Sequence, residues 1–127
     1  MNNSPFYYCS VCGNIIEKVA DSGNDLVCCG RSMIEMEAGI TDGSVEFHIP
    51  VCEREEKQIK VCIGKNPHPM TAEHYIQWIE LVTNKGIYRK YLEPGEDPCV
   101  KFKLCKSETP IEVYAYCNRH KLWKETF

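Results

Sequence analysis

No run of about 18 apolar residues occurs anywhere in the 127-residue chain, so the sequence offers no membrane-spanning helix. Positive charge is also in short supply. Fifteen Lys and Arg stand against 18 Asp and Glu, and a net charge of −3 excludes the basic footprint of a nucleic-acid binder. The opening run M-N-N-S-P-F-Y-Y has neither a basic stretch nor an apolar one, so the sequence predicts no secretion signal and a cytoplasmic setting. Internal repeats and low-complexity tracts are absent. Histidine is scarce, with four copies, whereas cysteine is abundant, with nine. In a chain without a secretion signal, so much cysteine argues against a disulfide framework and for metal ligation. The odd count points the same way.

Residues 1–37 have little apolar content and carry turn signals at Cys12-Gly13-Asn14, Asp21-Ser22-Gly23-Asn24 and Cys29-Gly30. So short a piece cannot fold on hydrophobic burial alone, and a bound metal would supply the missing stability. A linker is predicted near Glu37-Ala38-Gly39. From about residue 40 the chain reads as strands. Ile59, Val61 and Ile63 alternate with Lys60 and Cys62, and Val100, Phe102 and Leu104 alternate with Lys101 and Lys103. Ile111, Val113 and Ala115 alternate with Glu112, Tyr114 and Tyr116. The denser run from Tyr75 to Thr83 predicts a central strand. Turn clusters at Asn84-Lys85-Gly86 and at residues 93–98 complete the pattern of an antiparallel sandwich.

Two sets of metal-ligating residues stand out. Cys9 and Cys12 are spaced C-x-x-C with Gly13 following, and Cys28 and Cys29 lie in C-C-G. A C-x-x-C turn lets two thiolates face one ion. Adjacent cysteines normally point apart, so the second pair should strain its backbone. The spacing fits zinc or iron. The second set uses every histidine. His68 and His74 lie in P-H-P-M-T-A-E-H, His48 in V-E-F-H-I-P, and Cys117 and His120 in Y-C-N-R-H. Four imidazoles and one thiolate exceed a closed zinc site and suit an iron centre with an open position. Pro67 and Pro69 restrict the backbone around His68.

The runs E-F-H-I-P-V, P-H-P-M-T-A-E-H-Y-I-Q-W-I-E-L and Y-C-N-R-H-K-L-W-K resemble the superoxide reductases. Y-Y-C-S-V-C-G-N followed by C-C-G resembles the small module of the two-iron members, the desulfoferrodoxins. The resemblance covers nearly the whole chain. It implies a desulforedoxin-like four-cysteine iron module over residues 1–37. It also implies an immunoglobulin-like β-sandwich of seven strands over 38–127, making the chain mainly β. One iron is expected on Cys9, Cys12, Cys28 and Cys29. A second is expected on His48, His68, His74 and His120, with Cys117 as axial ligand. The implied activity is one-electron reduction of superoxide to hydrogen peroxide, which makes the chain an oxidative-stress enzyme. The iron on the four cysteines serves electron transfer, a rubredoxin-like protein is the external donor, and a homodimer is expected. Glu46 matches the glutamate that closes the open position when the iron is ferric.

One position departs from the pattern. The family usually has lysine between that glutamate and the first histidine, whereas this chain has Phe47. Lys65, on the way to His68, is an alternative source of positive charge. Trp78 and Trp123 read as core. Cys52, Cys62, Cys99 and Cys105 read as small hydrophobes or free thiols, with a redox switch as the alternative, and Cys52 and Cys62 are expected to face each other across a hairpin. The competing readings are a non-enzymatic iron-binding electron carrier or redox sensor, and a zinc-stapled sandwich.

Overall fold

The computed structural model describes residues 4–39 and 45–127, the side chains of Val45 and Glu46 excepted. The chain divides into two units, Met1–Ala38 and Gly39–Phe127. In the first, strand β1 (Phe6–Tyr8) lies between β2 (Ile15–Glu17) and β5 (Ile34–Glu35), antiparallel to both. A second ribbon pairs β3 (Val27–Cys28) with β4 (Arg31–Ser32). Among the described residues of this unit only Phe6, Cys9 and Met36 are buried, and Val19 is 100% exposed. Two apolar side chains and a cysteine do not make a core that offsets the entropy of ordering the chain.

The second unit begins with a single helical turn, α1 (Val45–His48). Seven strands follow: β6 (Pro50–Arg54), β7 (Gln58–Ile63), β8 (Ile76–Thr83), β9 (Ile87–Tyr91), β10 (Cys99–Lys103), β11 (Pro110–Cys117) and β12 (Lys121–Thr126). They form two antiparallel sheets in the orders β10-β7-β6 and β12-β11-β8-β9. This is the expected β-sandwich. Strand β7 buries Ile59, Val61 and Ile63 completely while Gln58, Lys60 and Cys62 stay half-buried, which is the alternation read from the sequence. These side chains share one cluster with Phe102, Ile76, Ile79, Leu81, Val113, Ala115 and Cys117. Each large apolar side chain so buried contributes about 1.5–3 kcal/mol.

The dense run of β8 is central, between β11 and β9. It is buried on both faces because its outer face is covered too. Trp78 stacks on Tyr116 with ring centroids 5.6 Å apart, and the Arg89 guanidinium lies 2.8 Å from the buried Glu80 carboxylate. The register of β8 against β11 shifts between Tyr116↔Trp78 and Cys117↔Ile76. That irregularity keeps Ile76, Ile79 and Cys117 together in the core, and such bulges commonly re-aim side chains beside a site.

Three expectations are corrected. The segment carrying His48 is a helical turn, not a strand. Cys52 is registered with Val61, and Cys62 with Val51, so these two cysteines do not face each other. Cys62 and Cys99 are not free thiols. The register places them directly opposite on β7 and β10, with Cα atoms 4.0 Å apart, and they are joined as a disulfide. At so close a separation, two opposed cysteines on neighbouring strands are within bonding reach of each other. Cys52 and Cys105 are free.

Candidate metal centres

The first centre is built by two tight turns. In the C-x-x-C turn the Gly13 N–H donates to the Cys9 carbonyl at 2.9 Å, and Gly13 itself stands at φ 82°. The N–H groups of Val11 and Cys12 point at Cys9 Sγ, at 3.4 and 3.5 Å. The C-C-G turn closes the β3–β4 ribbon with Cys29 at φ 53° and Gly30 at φ 73°. Two consecutive residues at positive φ define the favoured hairpin turn, and for cysteine that conformation is strained. The strain expected of adjacent cysteines is thus located at Cys29. Its effect is to bring both sulfurs to one side, 4.0 Å apart, with Cys12 Sγ 3.7 Å from Cys28 Sγ. All four sulfurs lie within 4.8 Å of one another.

Four thiols at such distances cannot all ionise unaided. The backbone N–H groups of Cys12 and Val11 hold the Cys9 thiol down to about 6. The sulfurs of Cys12, Cys9 and Cys28 push Cys29 up to about 12, and Cys28 is raised as well, by Cys9 first. A cation in their midst removes the conflict. Four cysteine sulfurs in this arrangement fit one tetrahedral iron or zinc.

The second centre gathers residues from four segments of the sandwich unit. Nitrogens of His48, His68, His74 and His120 and the sulfur of Cys117 all lie within 4.8 Å of one another. His48 ends α1. Cys117 ends β11 on its core-facing side and is fully buried. His120 follows in the three-residue turn to β12, and its N–H donates to Cys117 Sγ at 3.4 Å. His68 and His74 lie on the connection from β7 to β8. His48, His68 and Cys117 are buried, while His74 and His120 are half-buried, so the cluster has a dry side and a side toward solvent.

The imidazoles face one another as acceptors. His68 Nδ1–H donates to the Pro69 carbonyl at 2.7 Å, which leaves Nε2 as a lone pair. That lone pair is 3.2 Å from His48 Nε2, which in turn is 3.0 Å from His120 Nδ1. One proton on His48 can satisfy only one of these neighbours. Among the described residues, His74 Nε2 is buried without a hydrogen-bond partner. Burial holds His68 down to about 4 and lowers His74 as well, whereas burial raises the Cys117 thiol. Neutral imidazoles beside a cysteine sulfur are what a metal ion requires once the thiol gives up its proton to the ion's charge, and the mixed set of four nitrogens and one sulfur suits iron.

Three supporting residues were not legible as such. The Asn118 side chain accepts from the Tyr75 N–H at 2.9 Å and donates to the Glu73 carbonyl at 3.0 Å, tying the His74 segment to the Cys117–His120 turn. Thr71 closes the small loop before His74, its hydroxyl oxygen accepting the His74 N–H at 3.1 Å. Trp123 is buried as expected, but its ring stacks on His48 at 4.7 Å and its Nε1–H donates to the His120 carbonyl at 2.9 Å. The position of Asn118 between Cys117 and His120 was the only sequence signal for it. Phe47 is 37% exposed beside His48. Glu46 lies on α1, and its side chain is outside the described residues. Lys65 lines a separate cleft, beside Cys62 and Cys99.

Comparison with known proteins followed the same division. The family model described as "Desulfoferrodoxin" matches residues 40–126, and the one described as "Desulfoferrodoxin, N-terminal domain" matches residues 2–36. A desulfoferrodoxin homolog of Archaeoglobus fulgidus is 43% identical over 118 residues, 93% of either chain. A desulfoferrodoxin of Nitratidesulfovibrio vulgaris is 42% identical, covering 97% of this chain and 96% of the relative. Among solved structures, the superoxide reductase from Treponema pallidum superposes with a TM-score of 0.80 at 33% identity, covering 99% of this chain and 100% of that one.

Proposed function

The chain belongs to the desulfoferrodoxin family, and from that premise we propose that it is a superoxide reductase of the two-iron type. It reduces superoxide by one electron to hydrogen peroxide. The observation that carries this reading is the convergence of four imidazole nitrogens and one buried sulfur within 4.8 Å. His48, His68, His74, His120 and Cys117 would hold one iron, and Cys9, Cys12, Cys28 and Cys29 the other. Iron held by His48, His68, His74, His120 and Cys117 would supply the electron for superoxide.

The residues of the chain set the conditions for that step. The Pro69 carbonyl fixes the His68 tautomer, and Trp123 and Asn118 fix the orientation of His48, His120 and the His74 loop. Contacts of this kind behind a metal ligand raise its basicity and restrict ring motion. The N–H of His120 contacts the Cys117 sulfur and tempers its donor strength. The half-buried side, at His74 and His120, is where superoxide enters and where water delivers the two protons that complete hydrogen peroxide. Glu46 is the residue that would bind the iron once it is oxidised. Phe47 contributes no charge to attract the anion. The four-cysteine unit serves electron transfer, an external donor of the rubredoxin kind restores the reduced state, and the protein works as a cytoplasmic homodimer. Family membership supports these last assignments.

Rapid reaction with superoxide, followed by pulse radiolysis on the iron-loaded protein, tests the proposal. Cys117→Ser should abolish fast reduction and the thiolate charge-transfer band while leaving the absorption of the four-cysteine iron. A fast, unchanged reaction in that variant would refute the role of Cys117. A slow wild type with both irons bound would favour an electron carrier instead.

A further inference from the structure

The disulfide between Cys62 and Cys99 lies outside both metal clusters, and its surroundings connect it to one of them. Both cysteines are half-buried and line a cleft of about 330 Å³ together with Lys65, Pro67, Asp97 and Pro98. Reagents of the size of peroxide or a small thiol therefore have a route to the sulfurs. The residues that follow Cys62 and precede Cys99 are joined directly. The Ile63 N–H donates to the Pro98 carbonyl at 2.8 Å. The Ile63 carbonyl accepts from the His68 N–H at 3.2 Å, and the Gly64 N–H donates to the Ile49 carbonyl at 3.0 Å. Gly64 stands at φ 89°, and a Cβ on it would lie 2.6 Å from the Phe47 carbonyl oxygen. Residues 63 and 64 are thus the junction of the cysteine pair, the His68 loop and the turn that carries His48.

We propose that Cys62 and Cys99 form a third redox site, working by two electrons, closed by peroxide and reopened by a small dithiol, whose state sets how firmly the His68 loop is anchored. The electron balance is complete. One cysteine thiolate attacks hydrogen peroxide, forming a sulfenic acid and releasing hydroxide, which takes up a proton to become water. The second thiol displaces the sulfenic oxygen as a second water and forms the S–S bond. A dithiol reductant then transfers two electrons and two protons and leaves as its own disulfide. That peroxide arises at the neighbouring iron rests on the proposed function, but the chemistry of the pair does not. The two free thiols of this unit that lie outside the metal cluster, Cys52 and Cys105, are placed differently. Burial holds Cys52 up to about 11, and Cys105 has no opposed cysteine on a neighbouring strand.

The test uses the full-length ferric holoprotein after its disulfide has been opened with a phosphine. Hydrogen peroxide is added in steps, the sample is alkylated under denaturing conditions, and linked peptides are mapped by mass spectrometry. A Cys62–Cys99 linkage should form at about one peroxide per chain and reopen with dithiothreitol. Amide exchange of residues 63–68 should be roughly tenfold slower in the closed form, and Cys62→Ser and Cys99→Ser should both stay at the faster rate. A pair that stays open at several equivalents of peroxide overturns the redox site. A pair that closes without changing exchange at residues 63–68 overturns the coupling. Superoxide reduction by the wild type, measured separately, judges the functional reading alone, because the peroxide in this test is supplied from outside.

Discussion

Asn118 shows how much a single side chain can hold together. It bridges the segment of His74 to the turn of Cys117 and His120 without touching the metal position itself. Asn118→Ala should weaken the second metal by roughly 10- to 100-fold, the range expected for loss of a supporting hydrogen bond, and leave the first metal in place. Competition with a chelator, read at the two sets of absorption bands, measures this. Phe47 makes the opposite case, a residue whose effect lies in what it does not carry. Superoxide is an anion, the chain is net negative, and Phe47 is partly exposed beside a buried ligand. Phe47→Lys should raise the second-order rate with superoxide by about 10-fold at low ionic strength, and added salt should erase part of the gain. Equal rates at every salt concentration would make Phe47 a packing change without kinetic meaning. The ligands were legible because each sits in a short, distinctive run. Asn118 was not, because a hydrogen bond to a distant backbone leaves no local pattern in sequence, and Thr71 and Trp123 were not, because their hydrogen bonds three residues along the chain occur in any turn and do not point to a metal site.

At the scale of elements, alternation was a sound signal for β7 and β10 and not for β11, where Ile111 is exposed while Tyr114 and Tyr116 are buried with Val113 and Ala115. Strands β7 and β10 obey it closely, and the dense run of β8 is central as its composition demanded. Register was not legible, since period-2 patterns fix which face a residue takes and not which residue lies opposite. For that reason the partnership of Cys62 with Cys99 was invisible, and Cys52 was paired with the wrong neighbour. The single turn of α1 was missed because four residues are too few to show a helical period. The connection between β10 and β11 holds another element-level device. The buried Glu108 carboxylate accepts from the Thr83 and Tyr88 hydroxyls at 2.6 Å each and from the Cys105 N–H at 2.9 Å, and these donors hold its carboxyl below the usual range. A depressed folded value means that the stability it contributes is present above the ordinary carboxyl range, near pH 4, and is lost as pH falls through the folded value. Tyr88→Phe should therefore cost stability at pH 7 and cost less at pH 3. Denaturant unfolding of both proteins across that interval checks the sign.

Over the whole molecule, two units carry two centres with no ligand in common. Cys12→Ser should strip the first metal and unfold residues 1–37 locally, because Phe6 and Met36 are the only apolar side chains other than cysteine buried there among the described residues. The fast reaction with superoxide should survive, within about twofold, since its ligands all belong to the sandwich. Metal content, circular dichroism and pulse radiolysis on one preparation would show whether the two properties part. The same division has a meaning during synthesis. All four cysteines of the first centre have left the ribosome once residue 29 and its turn are clear, whereas the second centre needs His120. At about 5–20 residues per second, roughly 5–20 s separate the two events. An emerging chain can therefore capture its first ion while the second site has no existence, and iron supply in that interval decides which metal the early cysteines keep.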